Sequence, residues 1–131
     1  MMQASELRLG NWVQTKGKIH FRIDKMEHWG TDNSKCCMVA SPVLHDWAWG
    51  LKDMQPIQIT EELLLQINFT CFQDGGYKHE SAPFTWSVYD NTVRFMGYSL
   101  NHIKSLHQLQ NAFYSHTGNE LEIVWEYPKR Y

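Results

Sequence analysis

Apolar and polar positions alternate over several short runs of the chain, which is the pattern of strands with one buried face. The run IHFRI at 19–23 follows a TKGK turn and a first apolar stretch at Trp12 and Val13. A strand, a glycine turn and a second strand predict a hairpin. A second hairpin is predicted in FTWSVYDNTVRFMG, with its bend at Asp90 and Asn91.

Two further strands and one long connection are predicted outside these hairpins. KCCMVA at 35–40 is a short continuous apolar run and predicts a third strand. The segment at 41–56 has no clean period, so we predict a long connection that carries Trp47 and Trp49. ELEIVWEY at 120–127 alternates most regularly and predicts a strand that returns to the sheet.

Two segments carry the signals of short helices. Thr60 is a good N-cap before Glu61 and Glu62, whose charges suit the positive end of a helix. Ser105 and Gln108 form a capping-box pattern. In the helix that they begin, apolar residues recur at helical spacing, and a glycine at 118 is placed to end it.

The second predicted helix also carries neutral polar residues. We expect Gln110 to be half buried and His107 and Asn111 to lie closer to solvent, with Tyr114 at the edge of the apolar stripe. Two interpretations remain open. The amides either bond to the backbone of neighbouring strands or hold a ligand.

The elements together predict an α+β protein. We expect a strongly curved antiparallel sheet, or a partial SH3-like barrel, with two short helices packed on it. A chain of 131 residues has the length of one domain, so residues 1–131 are predicted to fold as a single domain.

Composition narrows the function classes. Hydrophobic residues make up 43% of the chain and charged residues 20%, which indicates a folded protein rather than a disordered one. The net charge of −2 and the lack of a basic stripe argue against a dedicated double-stranded nucleic-acid binder. The N-terminus lacks the pattern of a secretory signal and no window is apolar enough to span a bilayer, so we expect a cytoplasmic protein without a membrane partner.

Three sequence blocks resemble a family of small uncharacterised proteins of Bacteroidetes-type bacteria, their phages and prophages. The blocks are LRLGNWV, PIQITEELLLQINF and LHQLQNAFYSHTGNELEI. They differ from the family pattern at Leu63, where the family often has tryptophan, and at Asn68, where it often has glycine. The resemblance implies a mobile-element context and implies no activity.

Motifs for covalent chemistry or cofactors are missing from the sequence. His102, His107 and His116 are five and nine residues apart, which is not the spacing that places two imidazoles on one helical face. There is no P-loop, GxGxxG or GxSxG pattern, and the three cysteines, Cys36, Cys37 and Cys71, are expected to be packed, reduced thiols. We therefore predict no enzyme, no metal and no cofactor.

The predicted function is that of a non-enzymatic phage-type protein that occupies or sequesters a host molecule. A nucleotide immune signal is one candidate, because aromatic rings stack on bases and cations meet phosphates. The alternative is a protein–protein adaptor or small virion component, and either form could be a homo-oligomer. The candidate ligand-binding residues are Trp47, Trp49, Lys78, His107, Gln110, Asn111 and Tyr114.

Overall fold

The computed structural model describes residues 7–18, 20–23, 25–28, 36–40, 47–50, 54–123 and 125. The chain divides into two compact units. The first unit comprises Met1–Ile57 with Glu126–Tyr131, and the second unit comprises Gln58–Trp125. The expectation of a single domain over residues 1–131 stays a prediction.

The described strands of the first unit form two antiparallel sheets. Their bounds are β1 Trp12–Thr15, β2 His20–Arg22, β3 Lys25–His28, β4 Cys36–Ala40, β5 Trp47–Gly50 and β6 Met54–Gln55. One sheet has the order β2-β1-β6 and the other the order β3-β4-β5. Val13 lies opposite Phe21 across β1 and β2, which confirms the first predicted hairpin.

The prediction of a connection around Trp47 and Trp49 is wrong for the backbone at those residues. Both lie on β5, where Trp49 is opposite Met38 of β4. A strand of four residues is too short to show a period of its own, and aromatic residues favour extended backbone. The side chains of β3, β4 and β5 lie outside the described part of the chain, and so does the ligand-binding role predicted for Trp47 and Trp49.

The second unit contains both described helices and a five-stranded antiparallel meander. Its elements are α1 Glu61–Gln66, β7 Phe69–Gln73, β8 Gly76–His79, β9 Phe84–Ser87, β10 Thr92–Phe95, β11 Tyr98–Leu100 and α2 Leu106–Thr117. The strand order is β11-β10-β9-β8-β7, so each strand pairs with its neighbour in sequence. This arrangement confirms the predicted hairpin at FTWSVYDNTVRFMG. The predicted α+β class is also confirmed, and no closed barrel is found among the described strands.

The helix ends follow the signals in the sequence. Thr60 Oγ1 accepts a hydrogen bond from the backbone N–H of Leu63 at 3.1 Å. Gln108 Oε1 accepts one from the N–H of Ser105 at 3.2 Å. Gly118 ends α2 with a φ of 77°, a left-handed conformation that costs glycine little.

The predicted C-terminal strand is not formed at residues 121–123 and 125. Burial still alternates there, because Leu121 is buried and Glu122 is exposed. Trp125 Nε1 donates a hydrogen bond to Gln66 Oε1 at 2.7 Å. This segment is therefore attached through side chains, and a regular period alone does not supply the partner strand that a ladder needs. Val124 and residues 126–127 lie outside the described part.

Aromatic rings form the centre of the second unit between the sheet and α2. Phe84 of β9 has no exposed surface, and its ring stacks on Phe113 of α2 with a centroid distance of 5.3 Å. Phe95 of β10 packs against Phe84 at 4.8 Å. These contacts fix the C-terminal half of α2 on the inner face of the sheet. This is the part of the sheet where β8 ends and β9 begins.

A hydrogen bond joins α1 to the sheet. The Tyr77 hydroxyl of β8 donates to Glu61 Oε2 at 2.5 Å. This bond to the carboxylate, together with burial, raises the pKa of Tyr77 to about 12 from an ordinary value of 10.0. The neutral phenol is therefore the form that the folded protein favours.

Replacing Glu61 by glutamine should lower the pKa of Tyr77 towards its ordinary value, because the negative acceptor is removed. Ultraviolet titration of the tyrosines measures this change, and Tyr77→Phe identifies which transition belongs to Tyr77. Glu62→Gln is the matched control, since Glu62 is the neighbouring exposed glutamate of the same helix. An unchanged titration curve in Glu61→Gln would contradict the assignment.

A glycine at the turn between β7 and β8 is required by its surroundings. Gly75 has a φ of +71°, and a Cβ atom there would lie 2.5 Å from Tyr89 Cε2 and 2.9 Å from Val88 Cγ1. The Tyr89 ring would have to move and lose the hydrogen bond of its hydroxyl to Asp74, which is 2.9 Å long. The turn thus needs both the conformation and the small size of glycine.

Gly75→Ala should lower the free energy of unfolding by about 2 kcal/mol, through backbone strain and displacement of the Tyr89 ring. Gly97→Ala is the control, because Gly97 has a φ of +86° but no atom within 4 Å of its added Cβ. We expect the control to cost about 1 kcal/mol, from strain alone. Urea-induced unfolding measures both values, and equal losses would show that crowding at Gly75 contributes nothing.

Candidate functional site

A cleft of about 440 Å³ opens in the second unit beside the end of β8 and the C-terminal end of α2. Its lining consists of Asn68, residues 79–83, Phe113, Thr117 and residues 119, 120 and 122. We call it the His79 cleft. It is shaped by the loop at 80–83 on one side and by the turn after α2 on the other.

His79 lies on the inner face of the sheet because it is two residues from buried Tyr77 on β8 and alternates with exposed Lys78. Its side chain is only 8% exposed. The ring makes edge contacts with two phenylalanines, at 5.2 Å from Phe69 and 4.9 Å from Phe113. The imidazole is thereby held in one orientation at the wall of the cleft.

The loop after β8 is bonded to this imidazole. His79 Nδ1 accepts hydrogen bonds from the backbone N–H of Ser81 at 3.2 Å and of Ala82 at 3.1 Å. Because Nδ1 is an acceptor, the neutral ring carries its proton on Nε2. His79 therefore holds the loop at 80–83 through one nitrogen and presents an N–H donor at the other.

Burial lowers the pKa of His79 below its ordinary value of 6.5, and the nearby carboxylate of Glu80 opposes this shift. The lowered pKa keeps the imidazole neutral at neutral pH. The hydrogen-bond pattern agrees, since an imidazolium would carry a proton at Nδ1 and could not accept from the loop.

The charged residues of the lining are all acidic. Glu80, Glu120 and Glu122 line the cleft, and no lysine or arginine of the described ranges does. Ala82, Pro83 and Phe113 contribute apolar surface. The cleft therefore offers a ligand three features: negative charge, an apolar wall and a fixed N–H donor.

The turn after α2 is fixed by its own side chains. Thr117 Oγ1 donates to the backbone oxygen of Phe113 at 2.7 Å and accepts from the N–H of Asn119 at 3.1 Å. The left-handed Gly118 then redirects the chain toward Glu120 and Glu122. The acidic side of the cleft is therefore positioned by a capped helix end.

The arrangement does not assemble a nucleophile with a base. Ser81 Oγ lies 3.4 Å from His79 Nδ1, but that nitrogen already accepts two backbone N–H groups and has no free lone pair to take a proton. Cys71 is a free, exposed thiol on β7, which corrects the expectation of a packed one, and it does not line the cleft. Among the described residues, no group of three His, Cys, Asp or Glu could hold a metal ion.

Five of the seven residues proposed from the sequence have described side chains, and none of these five lines the cleft: Lys78, His107, Gln110, Asn111 and Tyr114. Lys78 is exposed on the opposite face of β8 from His79, and its Nζ lies 5.8 Å from the centre of the Phe72 ring. Tyr114 is 48% exposed and Asn111 is partly buried. The ligand role of these residues stays a prediction.

The expected exposure of two helix residues is wrong. His107 and Gln110 are 1% and 3% exposed, so both belong to the interior of the second unit. His107 Nδ1 lies 3.1 Å from Ser105 Oγ at the N-terminal end of α2. Ser105 also forms a β-bridge with Gln58. The first turns of α2 are covered on more than one side, which a helical wheel cannot show.

Sequence reasoning missed His79, although the signal was present. Tyr77 and His79 alternate with exposed Lys78 along β8. That alternation places the histidine on the buried face, next to a loop that ends at Pro83. The sequence does not show that α2 and the segment after it complete a cleft at this point.

No family model, curated protein or solved structure matches the chain. No helix in the described ranges combines the length and apolar character that crossing a bilayer requires. The geometry of the second unit is therefore the basis for the function proposed below.

Proposed function

We propose that the protein is a non-enzymatic binding protein that holds a small polar molecule in the His79 cleft. The observation that carries the proposal is the imidazole itself, buried and fixed by two backbone hydrogen bonds at the wall of an open cleft. A volume of about 440 Å³ falls in the usual range for small-molecule sites. A fixed donor beside apolar surface gives orientation and specificity without a reacting group.

The phage and prophage resemblance supports a host molecule as the ligand, which the protein would sequester. The acidic lining bears on which host molecule this is. Phosphate groups would face Glu80 and Glu122, and no lysine or arginine in the described part of the chain lines the cleft. Like charges repel at short range. Within the proposal, an anionic nucleotide signal is therefore less favoured than an uncharged or cationic ligand.

The second candidate function is that of a protein–protein adaptor. It is supported by exposed aromatic surface in the second unit, where Tyr89 and Tyr98 are 73% and 77% exposed. Met96, beside Tyr98 at the turn between β10 and β11, is also exposed. Light scattering tests whether such an adaptor self-associates. If the protein is a monomer at high concentration, an adaptor that acts through self-association is excluded.

The test of small-molecule binding is an amide-resolved NMR screen of the full chain against a library of small polar compounds. We expect hits that shift the amides of 79–82 and 117–122. The cleft-filling variant Ala82→Phe should weaken binding of those hits at least tenfold, while Ser99→Phe, at an exposed strand position, should not. A screen in which these amides never move would refute the proposal.

A further inference from the structure

We propose that the ligand of the His79 cleft is a small organic cation that carries an ammonium or guanidinium group beside a hydrogen-bond acceptor such as a carbonyl. The inference rests on the proposed function and names its ligand class. It follows from two independent features of the cleft, the charge of its rim and the tautomer of its buried histidine.

The first feature is the sign of the charge. Glu80 and Glu122 are exposed glutamates of two different segments, the loop after β8 and the segment after α2, and both line the cleft. Among the residues that the structure describes, no lysine or arginine lines the cleft beside them. A cation placed between two carboxylates from different segments gains from both, while an anion is repelled by both.

The second feature is the proton of His79. The side chain is more than nine-tenths buried, and Nδ1 is occupied by the backbone N–H groups of Ser81 and Ala82. The ring proton is therefore on Nε2, and no described residue accepts a hydrogen bond from it. A bound acceptor atom would satisfy this donor, which otherwise depends on water.

Geometry and size restrict the cation to an organic one. No three metal-ligating side chains come together among the described residues, so a bare metal ion would lack ligands. The cleft volume suits a molecule of drug-like size, and Phe113 and Pro83 give apolar contact to its carbon chain. One ligand can then reach the carboxylates with its charged end and His79 with its acceptor.

The test uses Nα-acetyl-L-argininamide as the probe, with calorimetric titration and amide-resolved NMR of the full chain. Nα-acetyl-L-citrullinamide is the matched control ligand, because the acetyl group removes the α-ammonium charge from both compounds and the control replaces the guanidinium by a neutral urea of similar shape. We expect Nα-acetyl-L-argininamide to bind and to shift the amides of 79–82. The double variant Glu80→Gln, Glu122→Gln should bind it about fivefold more weakly. Glu62→Gln, an exposed glutamate of α1 outside the cleft, should bind it as the wild type does.

The outcomes separate the two proposals. Equal binding of both ligands would refute the cationic class and leave a cleft that binds neutral molecules. If neither ligand binds but compounds of the library screen still bind at the cleft, the cationic ligand class is refuted and the proposed binding function is not. If no compound shifts the amide signals of the cleft, the proposed function and this inference are both refuted.

Discussion

Replacing Phe84 by alanine should destabilise the second unit by about 4 kcal/mol, because the change removes a completely buried ring from the centre of its core. Phe84 contacts three rings, those of Phe95, Phe113 and His116. The surrounding strands are held in a ladder and can collapse only in part into the space left behind. Urea-induced unfolding, followed by the amide signals of the second unit, measures the loss.

Tyr98→Ala is the matched control for Phe84→Ala. It also removes an aromatic ring from the five-stranded sheet, but Tyr98 is 77% exposed on the edge strand β11. A surface change of this kind should stay within about 0.5 kcal/mol of the wild type. Similar losses in the two variants would mean that the core is not centred on Phe84.

The second large effect is expected at His79. His79→Ala should cost about 3 kcal/mol, since it removes ring contacts with two phenylalanines and leaves the N–H groups of Ser81 and Ala82 without their acceptor. The loop at 80–83 should also exchange its amide protons faster, because its hydrogen bonds to β8 are lost. Urea titration and hydrogen exchange measure these two consequences separately.

Two matched variants make the His79 result interpretable. His79→Asn places an amide oxygen close to the position of Nδ1, so it should restore part of the loop protection without restoring the ring contacts. His102→Ala alters an exposed histidine of the same unit and should change stability little. If the alanine and asparagine variants lose the same amount of hydrogen-exchange protection in the loop at 80–83, the imidazole is not the group that holds the loop.

Stability should also fall as the pH is lowered below about 6.5, the pKa of histidine in an unfolded chain. Burial lowers the pKa of His79 in the folded protein. The unfolded state therefore takes up its proton first, so this contribution is complete above 6.5 and is lost as the pH falls through the folded pKa. Burial lowers the pKa of His20 in the first unit as well, which acts in the same direction.

The comparison of wild type with His79→Asn isolates the contribution of His79 to this pH dependence, since asparagine does not titrate. We expect a flatter decline of the free energy of unfolding between neutral and mildly acidic pH in the variant. An identical slope in the two proteins would show that His79 is protonated equally in the folded and unfolded states.

Local signals in the sequence were sufficient for both helices and for the hairpin of β9 and β10 in the second unit. Thr60, Gln108 and Gly118 act through backbone groups within a few residues, so their roles at the helix ends follow from spacing alone. The bend at Asp90 and Asn91 is local in the same sense, and Asn91 adopts a φ of 50° there. Capping and turn chemistry need no knowledge of the rest of the fold.

The failures came where a residue's environment is set by distant segments. Trp125 keeps the alternating burial of its segment, but it bonds to Gln66, which is 59 positions away, and no strand ladder forms. Gln110 is buried because α2 is covered on more than one side, although its position on the helix predicts an edge. His79 gained its significance from a loop and a helix end that only the folded chain brings together.

The tautomer of His79 connects the fold to the proposed function. A histidine whose Nδ1 accepted no bond could act as a base toward Ser81, and the cleft would then hold the beginning of a catalytic pair. With Nδ1 occupied by the loop, the same ring is a rigid donor instead. The proposed binding function rests on this donor role of His79.

Long-range proton–nitrogen NMR of the histidine rings tests this claim most directly. At neutral pH we predict that His79 is uncharged, with its proton on Nε2, and that the Nε2 resonance moves when Nα-acetyl-L-argininamide is added. A proton on Nδ1, or a charged imidazolium at neutral pH, would contradict the account, because the ring could then neither hold the loop nor present a fixed neutral donor to the cleft.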